Sequence, residues 1–245
     1  MKKTSVYDWP TRLFHWLFAF LFLAAFIIGE TVDDDSSLFS YHMLAGLTIV
    51  FLIILRIVWG FIGSTYARFS SFKLKPAELF KYVKDAVMAK TKRYLGHNPA
   101  SSYAALLMFI SAIGLAVTGV LMTSGSETDF YEETHEILAN VFLVAVITHL
   151  VGIVFHHLKH RDALWSSMMD GKKKALPDKV GITNMKPVAG ILFIIVTLLW
   201  FGYLGAQYDR NTQTLDLFGT ELTLGEEEHE SLSVLEDEDH EQEND

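Results

Sequence analysis

The chain of 245 residues contains no cysteine. Disulfides, thiolate-held metals, iron–sulfur clusters and thioether-linked prosthetic groups are therefore excluded, and any metal must be held by histidine, methionine or carboxylate. Charge is also nearly absent from five long apolar runs. The first run follows a basic start, yet no small-residue cleavage site comes after it, and His15-Trp16 interrupts its beginning. A retained helix explains it better than a cleaved signal peptide. The formal net charge of −9 misleads as an average, because bases and acids occupy different segments.

The apolar runs read as membrane spans at about 13–29, 40–62, 101–123, 134–158 and 188–206. Each is long enough to cross a hydrocarbon layer of about 30 Å at about 1.5 Å per residue. Between the second and third, residues 76–92 place Leu79, Val83, Ala86 and Val87 on one face, as in a helix lying on a membrane surface. Segments 64–100 and 159–186 are basic, the latter with Lys172-Lys173-Lys174, whereas 30–40 and 124–134 carry only acids. Basic loops stay cytoplasmic, so the N-terminus is expected inside, the acidic loops outside and the end of the chain outside, in a multi-pass protein of a bacterial inner membrane. The bases flank spans, and nothing points to nucleic acid as a partner. Residues 207–245 include Glu226-Glu227-Glu228 and Glu236-Asp237-Glu238-Asp239, a composition that favours disorder in isolation. They are expected to form either a solvated tail or a docking arm for a basic partner.

Histidine within a span is costly and usually functional. His135 and His149 are 14 residues apart on the fourth span, about 40° short of four full turns, so they share a face some ~21 Å apart along the axis. His15 opens the first span, at the inner level of His149. His42 opens the second, at the outer level of His135. Each histidine alone is as well explained by a polar residue packed between helices, but four that pair by depth and by face are not. Pairs of imidazoles on facing helices are a natural seat for two non-covalent b haems, His42 with His135 and His15 with His149, and six-coordinate iron suits electron transfer. Arg56 follows His42 by 14 residues and reaches the inner level, where the propionates of the inner haem, a quinone or lipid headgroups are its candidate partners. Gly46, one turn after His42, leaves room for a haem edge near the backbone. His156 is a reserve ligand, and His97 is expected to serve the start of the third span. The expected architecture is an all-α membrane protein: a four-helix transmembrane bundle with two haems over 1–175, a linker and appended fifth transmembrane helix over 176–206, and an acidic tail over 207–245.

The order and spacing of several segments resemble the bacterial cytochrome b561 family, which includes the b-type cytochrome subunit of nickel–iron hydrogenases. These are Asp8-Trp9-Pro10-Thr11-Arg12 before Phe14-His15-Trp16; His42, Gly46, Arg56 and Trp59-Gly60; Gly96-His97-Asn98-Pro99 leading to Thr118-Gly119; His135-Glu136, Ala139-Asn140, His149 and Gly152; and Arg161-Asp162-Ala163-Leu164 with Met169 through Gly171-Lys172. The resemblance implies two b haems held by His15, His42, His135 and His149, and exchange of electrons with the quinone pool near the cytoplasmic haem. The expected function is electron transfer across the membrane between a periplasmic redox partner, a hydrogenase or c-type cytochrome, and quinone. A stand-alone quinone oxidoreductase acting on a small periplasmic molecule such as superoxide is the alternative within that class. A histidine-based metal or proton transporter is the alternative outside it, and it would place acids beside the histidines, which these spans almost lack.

Overall fold

The computed structural model describes residues 2–34, 36–88, 90–123, 129–161, 164–177 and 179–224. Five helices in it are long and apolar enough to cross a membrane. They are α1 (Trp9–Thr31), α2 (Ser40–Ile62), α4 (Pro99–Thr123), α5 (Asp129–His160) and α7 (Pro187–Gln207). A short helix α3 (Pro76–Val87) precedes α4, and a one-turn helix α6 (Ser167–Asp170) follows α5.

Start signals place the helix ends. Asp8 caps α1 by accepting from the Thr11 amide at 3.0 Å, and Pro10 lies in the first turn, where its missing N–H costs nothing. The helix therefore begins before residue 13. Asn98 and Ser101 cap α4 reciprocally, with the Ser101 amide donating to Asn98 Oδ1 at 2.8 Å and the Asn98 amide to Ser101 Oγ at 2.9 Å. Asn98, and not His97, serves that helix start. Asp129 and Glu132 occupy the first turn of α5, where acids favour the helix dipole. The apolar stripe of α3 is exposed at Phe80, Val83 and Val87, as an interfacial helix requires, but the helix ends at Val87 rather than at Lys92.

Helix α1 packs along α2, α4 along α5, and α2 against α4, while α7 lies outside this four-helix core against α1. The middle of the core is dry and aromatic. Ile53, Ala112 and Phe142 are buried there among Phe18, Phe22, Ile49 and Val146, with Phe22 and Phe142 at 4.2 Å between ring centroids. Apolar side chains also cover the outside of the helices, for example Phe20, Ile54, Val144 and Leu198. A soluble protein would hide such surface, whereas lipid is its natural solvent.

Both ends of the bundle carry extra structure. At the basic end, strands β1 (Lys3–Ser5) and β2 (Lys172–Lys174) pair antiparallel, so the N-terminus clasps the chain that follows α5. Val6, Tyr7 and Leu95 form a small buried core beneath this clasp. At the acidic end, β3 (Tyr208–Asp209), β4 (Thr214–Leu217) and β5 (Thr220–Thr223) form an antiparallel meander. Its buried Leu215, Leu222 and Leu224 pack on Leu47 of α2 and Leu204 of α7. Residues 208–224, expected to be disordered in isolation, are ordered here against the bundle, because alternate leucines find an apolar seat. The acidic residues from 226 onward lie outside the described residues, as do His229 and His240.

Candidate functional site

The structure brings His42 of α2 and His135 of α5 together, with ring centroids 6.2 Å apart. Two metal–imidazole bonds of about 2 Å each, plus the half-rings at either end, require about that spacing. The outer nitrogen of each ring is already fixed. His42 Nδ1 donates to the Ala25 carbonyl at 2.8 Å. His135 Nδ1 lies 2.8 Å from Thr118 Oγ1, whose own proton reaches the Gly114 carbonyl at 3.0 Å. The Leu115 carbonyl also lies within its reach at 3.2 Å; with its proton on either carbonyl, the hydroxyl accepts from His135 Nδ1 and leaves Nε2 free. Hydrogen bonds of this kind orient a ligating imidazole and raise its basicity.

Two glycines make room at this level. A Cβ on Gly29 of α1 would stand 3.1 Å from the His42 ring, too close without displacing it. The corresponding position at Gly46 meets no atom within 4 Å, which is open space of the kind a planar macrocycle needs. Phe39 stacks on His42 at 5.0 Å between ring centroids.

The second pair lies toward the basic end. His15 of α1 and His149 of α5 interact electrostatically, and His15 Nδ1 is buried without a hydrogen-bond partner. Phe142, seven residues from both His135 and His149, sits in the aromatic layer between the two pairs. Arg56 of α2 is 9% exposed and stacks over Phe69 at 5.0 Å. Its Nη2 donates to the Ala67 carbonyl at 3.0 Å, while Nη1 is buried and unpartnered.

The sequence underrated His97. It is half-buried, edge-on to Phe72 at 4.8 Å, with its Nδ1 atom enclosed and without a hydrogen-bond partner among the described residues. Burial, with Lys173, Arg56 and His149 nearby, pushes its pKa down to about 4. His156 packs against His160 at 4.5 Å near the end of α5. Among the described residues no three His, Cys, Asp or Glu side chains gather as a bare metal ion would need. Two donors per level, with open space beside Gly46 and an orphaned His15 nitrogen, fit haem b instead.

Asp8 explains why the motifs at residues 8–12 and 59–60 occur together. Its carboxylate, fully buried, also accepts from Trp59 Nε1 at 3.1 Å and from the Ser64 amide at 3.2 Å. One side chain thus ties the start of α1 to the end of α2.

The family described as prokaryotic cytochrome b561 matches residues 6–171. The chain belongs to this family. It is accordingly a multi-pass, helical membrane protein of the b-type cytochrome class, whose cofactor is haem b and whose work is electron transfer. Similar proteins include a probable Ni/Fe-hydrogenase B-type cytochrome subunit of Rhizobium leguminosarum bv. viciae, 27% identical over 215 residues, covering 70% of this chain and 89% of that protein. Another of the same description, from Azotobacter vinelandii, is 25% identical over 223 residues, covering 73% and 92%. A probable Ni/Fe-hydrogenase 1 B-type cytochrome subunit of Escherichia coli K12 is 26% identical over 149 residues, covering 49% and 60%. No solved structure matches the chain. The match to this cytochrome family spans α1 to α6 and stops short of α7 and the meander.

Proposed function

We propose that this cytochrome holds two b haems, one between His42 and His135 and one between His15 and His149, and transfers electrons across the membrane between a periplasmic redox protein and quinone. The observation that carries the reading is the His42–His135 pair: 6.2 Å between centroids, with both Nδ1 atoms committed to other partners. Bound haem supplies a one-electron ferric/ferrous couple. The chain orients the imidazoles through Ala25 and Thr118, keeps water out of the space between the levels with Phe22 and Phe142, and leaves space for the macrocycle at Gly46. Arg56, with Nη1 unused among the described residues, would meet a propionate of the inner haem.

The charge pattern supports an orientation with the basic end in the cytoplasm and the acidic end in the periplasm. The names of the relatives support a hydrogenase as the periplasmic partner, with the acidic residues beyond 225 as a second contact. We assign quinone to the basic end. A cleft of about 610 Å³ between α1 and α7 runs from Trp9 and Arg12 toward Phe201. Its wall includes Trp16, whose ring meets His15 edge-on at 5.2 Å between centroids. The test is quinol-driven reduction of the purified protein followed in the visible spectrum. Ferrous b-haem bands should appear on adding quinol, and a spectrum without them would remove quinone from the account.

A further inference from the structure

At the basic end three polar side chains from separate segments gather around His97, which lies in the field of Lys173, Arg56 and His149, and none of the three is in an ion pair among the described residues. Arg56 comes from α2, His97 from the turn before α4, and Lys173 from β2. Arg56 and Lys173 are each 9% exposed, and neither forms an ion pair among the described residues. Lys173 Nζ reaches only the Gly96 carbonyl, at 3.5 Å, and the face of Tyr7, at 4.9 Å. Arg56 Nη1 and His97 Nδ1 are buried atoms with no hydrogen-bond partner among the described residues. Asp8, the acid whose field reaches Arg56, spends its oxygens on Thr11, Trp59 and Ser64.

Buried cations with unused donors are costly unless an anion completes them. An incoming group with two carboxylates would satisfy all three side chains: a planar fork from arginine, a point charge from lysine and a neutral N–H from histidine. We infer that Arg56, Lys173 and His97 form a carboxylate-binding subsite for the propionates of the haem placed at His15 and His149. The inference rests on that proposed ligation and adds Lys173 and His97 to it. It also gives the β1–β2 clasp a purpose. Pairing Thr4 with Lys173 fixes the backbone that aims the lysine inward, while its neighbour Lys172 points outward.

The subsite has an electrostatic consequence. Reduction removes one positive charge from the iron, so fixed cations beside the propionates favour the ferrous form. At the other level, the anchored and more basic His42 and His135 favour the ferric form. The haem at the basic end should therefore have the higher potential.

The test is a redox titration of both haems in the intact protein with Arg56→Gln, Lys173→Gln and His97→Gln. A variant that keeps two haems should lower one midpoint potential and leave the other in place, and the affected haem should be the one that His149→Ala removes. Lys173→Arg should restore the value, and Lys172→Gln should move neither potential. A variant that loses only that haem supports the subsite equally. Unchanged potentials in all three, equal shifts in both haems, or loss of both haems together would overturn it. Absence of haem from the wild-type protein would instead overturn the ligation reading itself.

Discussion

At the scale of single residues, Thr118 would govern a haem held by His135 without touching it. With its own hydrogen on the Gly114 or Leu115 carbonyl, its oxygen accepts from His135 Nδ1. Thr118→Val keeps the shape and removes the acceptor. Loss of such an outer partner typically costs about 10- to 100-fold in affinity. Haem at the His42–His135 level should be lost first when the variant is titrated with an apo-haem acceptor, and Thr118→Ser should retain it. Gly29→Ala should act at the same level by steric means, since a methyl group would press on the His42 ring. Here the measurement is the intensity of the b-haem band per protein, which should fall toward one haem. The depth and face of the four histidines and Arg56 were legible in the sequence because helical periodicity converts spacing into position. Thr118 stood out only as part of a motif, without a role, and Ala25 and Gly29 not at all, since a hydroxyl, a carbonyl and a missing Cβ acquire meaning only once two helices face each other.

At the scale of elements, the ends of helices carry more information than their middles. The run from 40 to 62 was legible to the residue, because apolar composition changes abruptly at both ends. Helices α1 and α5 extend beyond their apolar cores, to Trp9 and to Asp129 and His160, because capping and dipole terms continue a helix past the lipid. Asp8 is the clearest case. Asp8→Ala would leave the Thr11 amide, Trp59 Nε1 and the Ser64 amide without an acceptor. Hydrogen bonds to a charged group contribute about 1.5–3 kcal/mol each, so a loss of about 3 kcal/mol or more is expected. Thermal loss of the haem absorbance band should shift to clearly lower temperature, and Asp8→Asn should recover part of the shift. The meander was missed although alternation was present in Thr214-Leu215-Asp216-Leu217. Phe218 and Gly219, both with positive φ, make its two-residue turn. The acidic composition beyond it dominated the average and concealed a short apolar face.

At the scale of the whole molecule, the bundle separates two tasks. Its four-helix core holds the histidine levels and the aromatic layer between them, and the additions at either end meet the aqueous phases or α7. The meander shields Leu47 and Leu204, so removing everything after Gln207 would strip the core as well as the tail. Ending the chain at Leu224 is the cleaner cut. It should leave the haem spectrum intact while weakening co-purification with a periplasmic partner, and unchanged co-purification would assign docking to the described surface instead. Trp16→Ala should slow quinol-driven haem reduction without changing haem content, since Trp16 lies between the α1–α7 cleft and His15. The central claim is that each level takes one imidazole from α5 and one from a neighbouring helix. The direct measurement is the number of haems per chain, by pyridine haemochrome assay, in the wild type and in His135→Ala and His149→Ala. The account predicts two haems in the wild type and one in each variant, with different surviving potentials. A wild type without haem, or variants that both keep two, would contradict it.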